Sequence, residues 1–507
     1  MKKNIVANIV KILILLLAAL AQIAVMVLPT LWLEKNSVHF YWISEAIAVI
    51  IILYLLKSDI NPIYKIPWII MLLVAPVFGG MVYIVYGRVR FSKAELKRGS
   101  ECITEFKKAI YSRSNSNNIL KELEPEISVQ ADYLLKYADA PVYTNTTTRY
   151  FSLGDDVFPV LLEELKNAKN FIFMEFFIVE EGVMLDGIIE ILEQKAKAGL
   201  DIRFMYDSFG SILRAPANMV KRLEKKGIKC CEFNSFKSAL DSRYNNRDHR
   251  KICVIDGSVG FTGGFNLADE YINQKTVYGH WKDTAIMIKG DGVWSLTSMF
   301  LALWDSSKKE KDDYQRYVPS EKFTYNDGFI SPYTDYPLDD ESVGKNVYLN
   351  MINRASKYVY IMTPYLVPDT VLLSALENAA KNGIDVRIIM PGIPDKKIVY
   401  MLSQSFYPVL LKAGVKIYEY TPGFVHAKVF LSDDELAVVG TINLDYRSLA
   451  HHYEDAVWMY KSSAVTEIKK DFVETFAKSN EVPKEGKKES VLRRILMPIL
   501  RLFAPLF

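Results

Sequence analysis

Apolar positions fall into three regimes along the chain. Residues 9–33, 40–56 and 66–86 are nearly continuous apolar runs. The first and third are long enough for the ~20 residues a bilayer core requires, and each predicts a transmembrane helix. The second is slightly short, with Tyr41, Trp42 and Tyr54 placed as interfacial anchors. Residues 91–140 are polar and helix-biased, softened by SRSNSNN at 112–118, and read as a juxtamembrane connector. From residue 141 onward, strand-length apolar runs alternate with helical stretches, the pattern of an α/β fold with largely buried sheets.

That alternation occurs twice. FIFMEFFIV (171–179), DIRFMY (201–206) and IKCCEF (228–233) predict strands, with intervening helices stopping at Gly199 and Gly227. YVYIMTPYLV (358–367), DVRIIM (385–390) and VKIYEY (415–420) repeat the series, with stops at Gly383 and Gly414. Each half then reaches one cassette, HRKICVIDGSVGFTGGFN (249–266) or HAKVFLSDDELAVVGTIN (426–443). The following strands, DTAIMI (283–288) and EDAVWM (454–459), align so that Asp283 stands opposite Glu454. The first half alone carries a long approach, SFKSALDSRYNNRD (235–248). The implied organisation is transmembrane helices in 1–90, the connector in 91–140, two tandem α/β domains in 141–315 and 316–480, and a tail in 481–507. Within the tail, VLRRILMPILRLFAPLF (491–507) reads as an amphipathic helix on a membrane surface.

Composition narrows the function. Formal net charge is only +3, which gives no support for nucleic-acid binding. The mean hydropathy of +0.07 is high for a soluble protein, the excess lying at the N-terminus. The first run is too long for the ~7–15 residue core of a signal peptide and ends in no small-residue cleavage site. Orientation is balanced between Lys2, Lys3 and Lys11 at one flank and Arg88, Arg90, Lys93, Lys97 and Arg98 at the other. The four cysteines show no C-x-x-C or Cys/His ligand spacing, so a zinc site is not expected, and no cofactor is expected either.

The chemistry resides in the cassettes. Residues two apart on an extended chain face one side, so His249 projects with Lys251 and His426 with Lys428, while Arg250 and Ala427 point away. An imidazole beside an ammonium suits a phosphate anion better than a metal, because lysine supplies charge and neutral imidazole can attack phosphorus. Asn266 and Asn443 add polar donors without a titrating proton. A second histidine can protonate a leaving alkoxide and then deprotonate the incoming alcohol. Asp283 and Glu454 suit the holding of ring N–H groups. Asp256 and Asp433, later on the same strands, suit structural hydrogen bonds better than chemistry. His39, His280, His451 and His452 match no such pattern and are expected to be structural or superficial, as are Trp281 and Tyr446.

The cassettes resemble the HKD motifs of the phospholipase D superfamily. The wider chain is similar to the bacterial cardiolipin synthase family, through NPIYKIPWIIMLLVAPVFGGMVYIVYG (61–87), YNNRDHRKICVIDG (244–257), GGFNLADEY (263–271) and HAKVFLSDDELAVVGTINLDYRS (426–448). The first motif departs in having Gly264 where Ser or Thr is common. The resemblance implies two phospholipase D-like domains, each a mixed sheet flanked by helices, related by a pseudo-two-fold. It makes His249, Lys251, Asp256, His426, Lys428 and Asp433 the catalytic set, with Asn266 and Asn443 on substrate and Asp283 and Glu454 in support. The implied reaction is metal-independent phosphatidyl transfer between two phosphatidylglycerol molecules in a bacterial cytoplasmic membrane, giving cardiolipin. His249 is the expected nucleophile and His426 the acid, then base, although the internal symmetry leaves the reverse open. The same site using water would be a phospholipase D; a lipid-binding scaffold without turnover would need neither histidine. Oligomeric state is not legible.

Overall fold

The computed structural model describes residues 36–58, 62–87, 93–113, 116–235, 246–337, 341–485 and 491–506. The first apolar run, Lys2, Lys3, Lys11, Arg88, Arg90 and most of the 235–248 approach lie outside the described residues. The chain divides into two compact units, one built from its N- and C-terminal segments and the other from 93–234 with 247–490.

In the first unit, α1 (Asn36–Lys57), α2 (Pro62–Val74) and α3 (Pro76–Tyr86) pack around Ala48, Leu55, Leu72 and Tyr83. The sequence pattern predicts one helix over 66–86, but the structure breaks it at Ala75 (φ −143°, ψ 74°). Pro76 is the cause, since a following proline excludes its predecessor from the helical region. Trp42, Ile43, Ile50 and Leu53 of α1 are exposed. Among the described residues, no helix is long and apolar enough to cross a membrane. The C-terminal segment forms a helix at Val491–Leu502, with Leu496 and Ile499 exposed and Met497 buried.

The second unit contains two sheets of matching plan. In the first, strands β1 (Thr146–Phe151), β2 (Phe171–Phe176), β3 (Asp201–Asp207), β4 (Lys229–Phe233), β6 (Ile252–Ile255), β7 (Val259–Gly263) and β9 (Ala285–Gly290) lie in the order β1-β9-β7-β6-β2-β3-β4. In the second, β10 (Phe329–Asp335), β11 (Tyr358–Met362), β12 (Asp385–Pro391), β13 (Lys416–Tyr420), β15 (Val429–Ser432), β16 (Leu436–Gly440), β17 (His452–Tyr460) and β18 (Ser479–Glu481) follow β10-β17-β16-β15-β11-β12-β13-β18. In each sheet, three parallel strands (β2-β3-β4 and β11-β12-β13) are continued by antiparallel pairing. The glycine stops hold: Gly199, Gly227, Gly383 and Gly414 all adopt positive φ just past a helix end.

Three short strands join the halves. β5 (Arg247–Asp248) runs parallel to the start of β17, and β14 (Gly423–Val425) runs parallel to β8 (His280–Lys282). The apolar core combines residues of both sheets, such as Phe173, Val254 and Ile288 with Val429, Val439 and Val457. The expected connector is part of this unit. Phe106, Ala109 and Ile110 of the helix Lys93–Tyr111 enter the same core, and the buried Trp294 Nε1 donates to the Ala109 carbonyl at 3.1 Å. A polar surface hid one apolar stripe, which was enough to dock the helix.

Candidate active site

Each cassette enters the site through the opposite half. β14 leads to His426, whose backbone N–H donates to the Lys282 carbonyl at 2.7 Å. β5 leads to His249, whose N–H donates to the Tyr453 carbonyl at 2.9 Å. The residue after each carbonyl is the acid picked out by the internal alignment. Glu454 therefore holds His249, with Nδ1 at 3.0 and 2.9 Å from its two oxygens. Asp283 holds His426 Nδ1 at 2.7 Å. Both acids are fully buried. The dyads are thus crossed between halves, a relation the linear alignment does not contain.

Burial pushes His249 well below the usual imidazole range; Glu454 opposes the shift and Lys251 adds to it. Burial likewise takes His426 down to about 4, assisted by Lys428 and countered by Asp283, with Lys251 of the other cassette adding its charge. Burial raises Glu454 and Asp283, yet their partners outweigh it and hold both carboxyls low. Each dyad at rest is a neutral imidazole on a carboxylate, with Nδ1–H donated and the Nε2 lone pair unspent. Burial also lowers Lys251 to about 8 and Lys428 to about 7. Each ammonium folds back onto the carbonyl of its own histidine, and Lys428 Nζ lies 3.0 Å from His426 Nδ1. An incoming phosphodiester anion would restore full charge to both lysines.

The remaining expected residues divide. Asp256 accepts from the backbone N–H groups of Lys169, Asn170 and Phe171 at 2.6–2.9 Å. Asp433 accepts from Ser356, Lys357 and Tyr358 at 2.7–2.9 Å. Both occupy the left-handed hairpin turn at the far end of their strands (φ 53° and 55°). Four residues lie between each and its lysine, five steps that span roughly 16 Å at ~3.3 Å per residue, which places both aspartates at the turn rather than beside the histidines. Asn266 is engaged at both ends, its Oδ1 accepting from Ile178 N at 2.9 Å and its Nδ2 donating to the Tyr271 hydroxyl at 2.8 Å. Asn443 differs: its Oδ1 is buried with no hydrogen-bond partner among the described residues. Arg250 points away as expected, with Nε 2.6 Å from Glu175.

Four further residues stand around the dyads, among them His452 and Trp281, which the sequence pattern left as structural or superficial. Glu454 also accepts from the hydroxyls of Thr441 and Ser448. His452 Nδ1 stands 3.6 Å from the same carboxylate, and its ring lies 5.5 Å from that of His249. The signal was the internal alignment carried two residues upstream, where His452 matches Trp281. Trp281 flanks His426 at 5.6 Å with the same 44° tilt, its Nε1 3.5 Å from Asp283. His249, His452 and Glu454 form the one cluster of metal-ligand reach among the described residues, unseen in sequence because its members are 203 and 205 positions apart. Glu454 already carries two hydroxyl donors and Lys251 stands at the site, which fits a hydrogen-bonded dyad better than a cation site. Gly264 now has a reason. A Cβ there would come within 2.0 Å of Asp283 Oδ1, whereas the longer Glu454 leaves room for Thr441.

Comparison with known proteins agrees with this geometry. The family model described as cardiolipin synthase, PLD-like domain, matches twice, over residues 161–290 and 348–476. A protein of Streptococcus mutans without an assigned function is 44% identical over 457 residues, covering 90% of this chain and 99% of its own. A cardiolipin synthase of Alkalihalophilus pseudofirmus is 35% identical over 450 residues, covering 88% and 89%. The crystal structure of phosphatidylserine synthase from Haemophilus influenzae shares the fold at 15% identity, with TM-score 0.55 over 75% of this chain and 97% of that one.

Proposed function

Since this chain belongs to the cardiolipin synthase, phospholipase D-like family, we propose that it is a phosphatidyltransferase that joins two phosphatidylglycerol molecules into cardiolipin and releases glycerol. The observation that carries the reading is the pair of crossed dyads, two neutral imidazoles each held by the other half's carboxylate. His249 Nε2 attacks phosphorus, forming a P–N bond as the P–O bond to glycerol breaks. His426 gives its proton to the departing oxygen; the anion bound beside it raises its proton affinity, so the proton is held when needed. The terminal hydroxyl of the second phosphatidylglycerol then attacks, His426 takes its proton, and the P–N bond breaks. Lys251 and Lys428 neutralise charge growing on the phosphoryl oxygens. The apolar runs of the N-terminal 90 residues support placement in the cytoplasmic membrane as a multi-pass protein.

Products from labelled phosphatidylglycerol, separated by thin-layer chromatography, test the reading. Cardiolipin with equimolar glycerol is expected. Phosphatidic acid without cardiolipin would mean that water, not a lipid alcohol, takes the phosphatidyl group. In the free enzyme, kcat/KM should fall as pH rises through about 7 to 8, because Lys428 and then Lys251 lose the charge that receives the anion.

A further inference from the structure

The parallel strands of both sheets end on the side where the histidines stand. Glu175 at the end of β2 pairs with Ile252, and Met362 at the end of β11 pairs with Val429, so His249 and His426 lie just beyond those ends. The connections leaving that side carry large apolar residues in solvent. Val183 opens the helix Val183–Lys197 after β2, and Val371 is the second residue of the helix Thr370–Lys381 after β11, 51% exposed. Leu213 follows β3 and is 93% exposed; Ile393 and Ile398 follow β12, the latter 54% exposed. Val277, after β7, is exposed too. The Ile393 Cδ1 atom approaches Gly279, so the second half's apolar residue abuts the first half's loop. Leu213 is tied to the site: Ser211 Oγ donates to the Phe177 carbonyl at 3.1 Å, and the Phe177 ring lies 5.0 Å from that of His249.

We propose that this end of the two sheets docks on a bilayer of anionic phospholipid through a collar formed by Val183, Leu213, Val277, Val371, Ile393 and Ile398. The proposal rests on the phosphatidyl-transfer reading for its lipid. Two features select a membrane surface over a second copy of the chain. The apolar residues leave the corresponding connections of both halves, after β2 and β11 and after β3 and β12, rather than one element, and Lys397, exposed beside Ile398, forms no ion pair among the described residues, while Lys396 lies over the Tyr365 ring at 5.2 Å. Apolar tips beside an exposed ammonium such as that of Lys397 are what an anionic interface takes up. Docking there would bring a phosphodiester to the histidines without lifting the lipid fully out of the bilayer.

The full chain in phosphatidylglycerol vesicles provides the test. Tryptophan fluorescence added by Leu213→Trp should be quenched by brominated acyl chains, while that added by Lys169→Trp, at the opposite ends of the strands, should not. The double variant Leu213→Asp/Ile398→Asp should lose at least tenfold in activity on vesicles, yet stay within twofold on short-chain phosphatidylglycerol below its micelle concentration. Equal loss on both substrates, no loss on either, or no quenching at position 213 would overturn the collar. A dimer split by the double variant with vesicle activity retained would assign the collar to contact between copies and overturn it as well. Absence of transfer by the parent chain on both substrates would sink the phosphatidyl-transfer reading itself.

Discussion

The two halves repeat one architecture but support their histidines by opposite means. Around His249, Arg247, Asp248, Arg250, Glu175, Asp207 and Asp455 are all buried. At the matching positions around His426 stand Phe424, Val425, Ala427, Met362, Pro391 and Thr284, also buried. Four acids thus face two arginines on one side, whereas none of the six matching positions on the other is charged and its buried ion pair is Lys282 with Asp471. Burial pushes Asp455 up to about 7 and Asp207 to about 6, and raises Glu175 well above its usual range. Near neutrality, the surplus acids tend to keep their protons and the arginines are balanced. The His, the Lys and the crossed acid are duplicated; the scaffold beneath has diverged.

The largest effect sought is loss of either histidine. His249→Ala and His426→Ala should each lower turnover by ~100-fold or more while the chain stays folded. Labelled lipid should form a covalent adduct in His426→Ala but not in His249→Ala. The reverse pattern would exchange the two roles. Next comes the residue that sets which acid each half accepts. Gly264→Thr forces a side chain onto Asp283 and should reduce kcat ~10-fold or more, whereas Thr441→Gly removes one donor of several on Glu454 and should cost less. Equal losses would erase the asymmetry.

Smaller effects probe the flanking rings. His452→Phe and Trp281→Phe remove N–H groups 3.6 and 3.5 Å from the dyad acids, and each should lower kcat by only about fivefold, since contacts of that length are weak. The smallest effect concerns stability. The folded chain keeps a proton on Asp455 up to pH about 7, while the unfolded chain releases it near 4, so folding binds an extra proton between those values. Stability from this group therefore falls as pH rises from about 4 to 7. Asp455→Asn should flatten the decline of Tm over that range by a few degrees; an unchanged slope would show that other groups set it.

Much of this was legible in the linear pattern. The succession of strands and helices in each half, the glycine stops and the equivalence of Asp283 with Glu454 all follow from local periodicity repeated twice. His452 was not legible, because its role is inherited from the position of Trp281, and imidazole and indole share no motif. Nor was the docking of the helix Lys93–Tyr111, whose few core residues, Phe106, Ala109 and Ile110, are diluted by charge. The aspartates closing the two cassettes were ambiguous by type alone. Their backbone partners, Lys169 to Phe171 and Ser356 to Tyr358, are 85 to 87 and 75 to 77 residues away.

By itself, the sequence determined the duplicated α/β plan and the residue types of the site, because side-chain period and turn chemistry are local properties of the chain. Tertiary structure alone decided the crossing of the dyads. His249 meets Glu454, and His426 meets Asp283, only because β5 and β14 each pair with a strand of the other half, bringing residues 205 and 143 positions apart within 3.0 Å. Register between distant strands is set by packing and hydrogen bonding in three dimensions, and no local pattern encodes it.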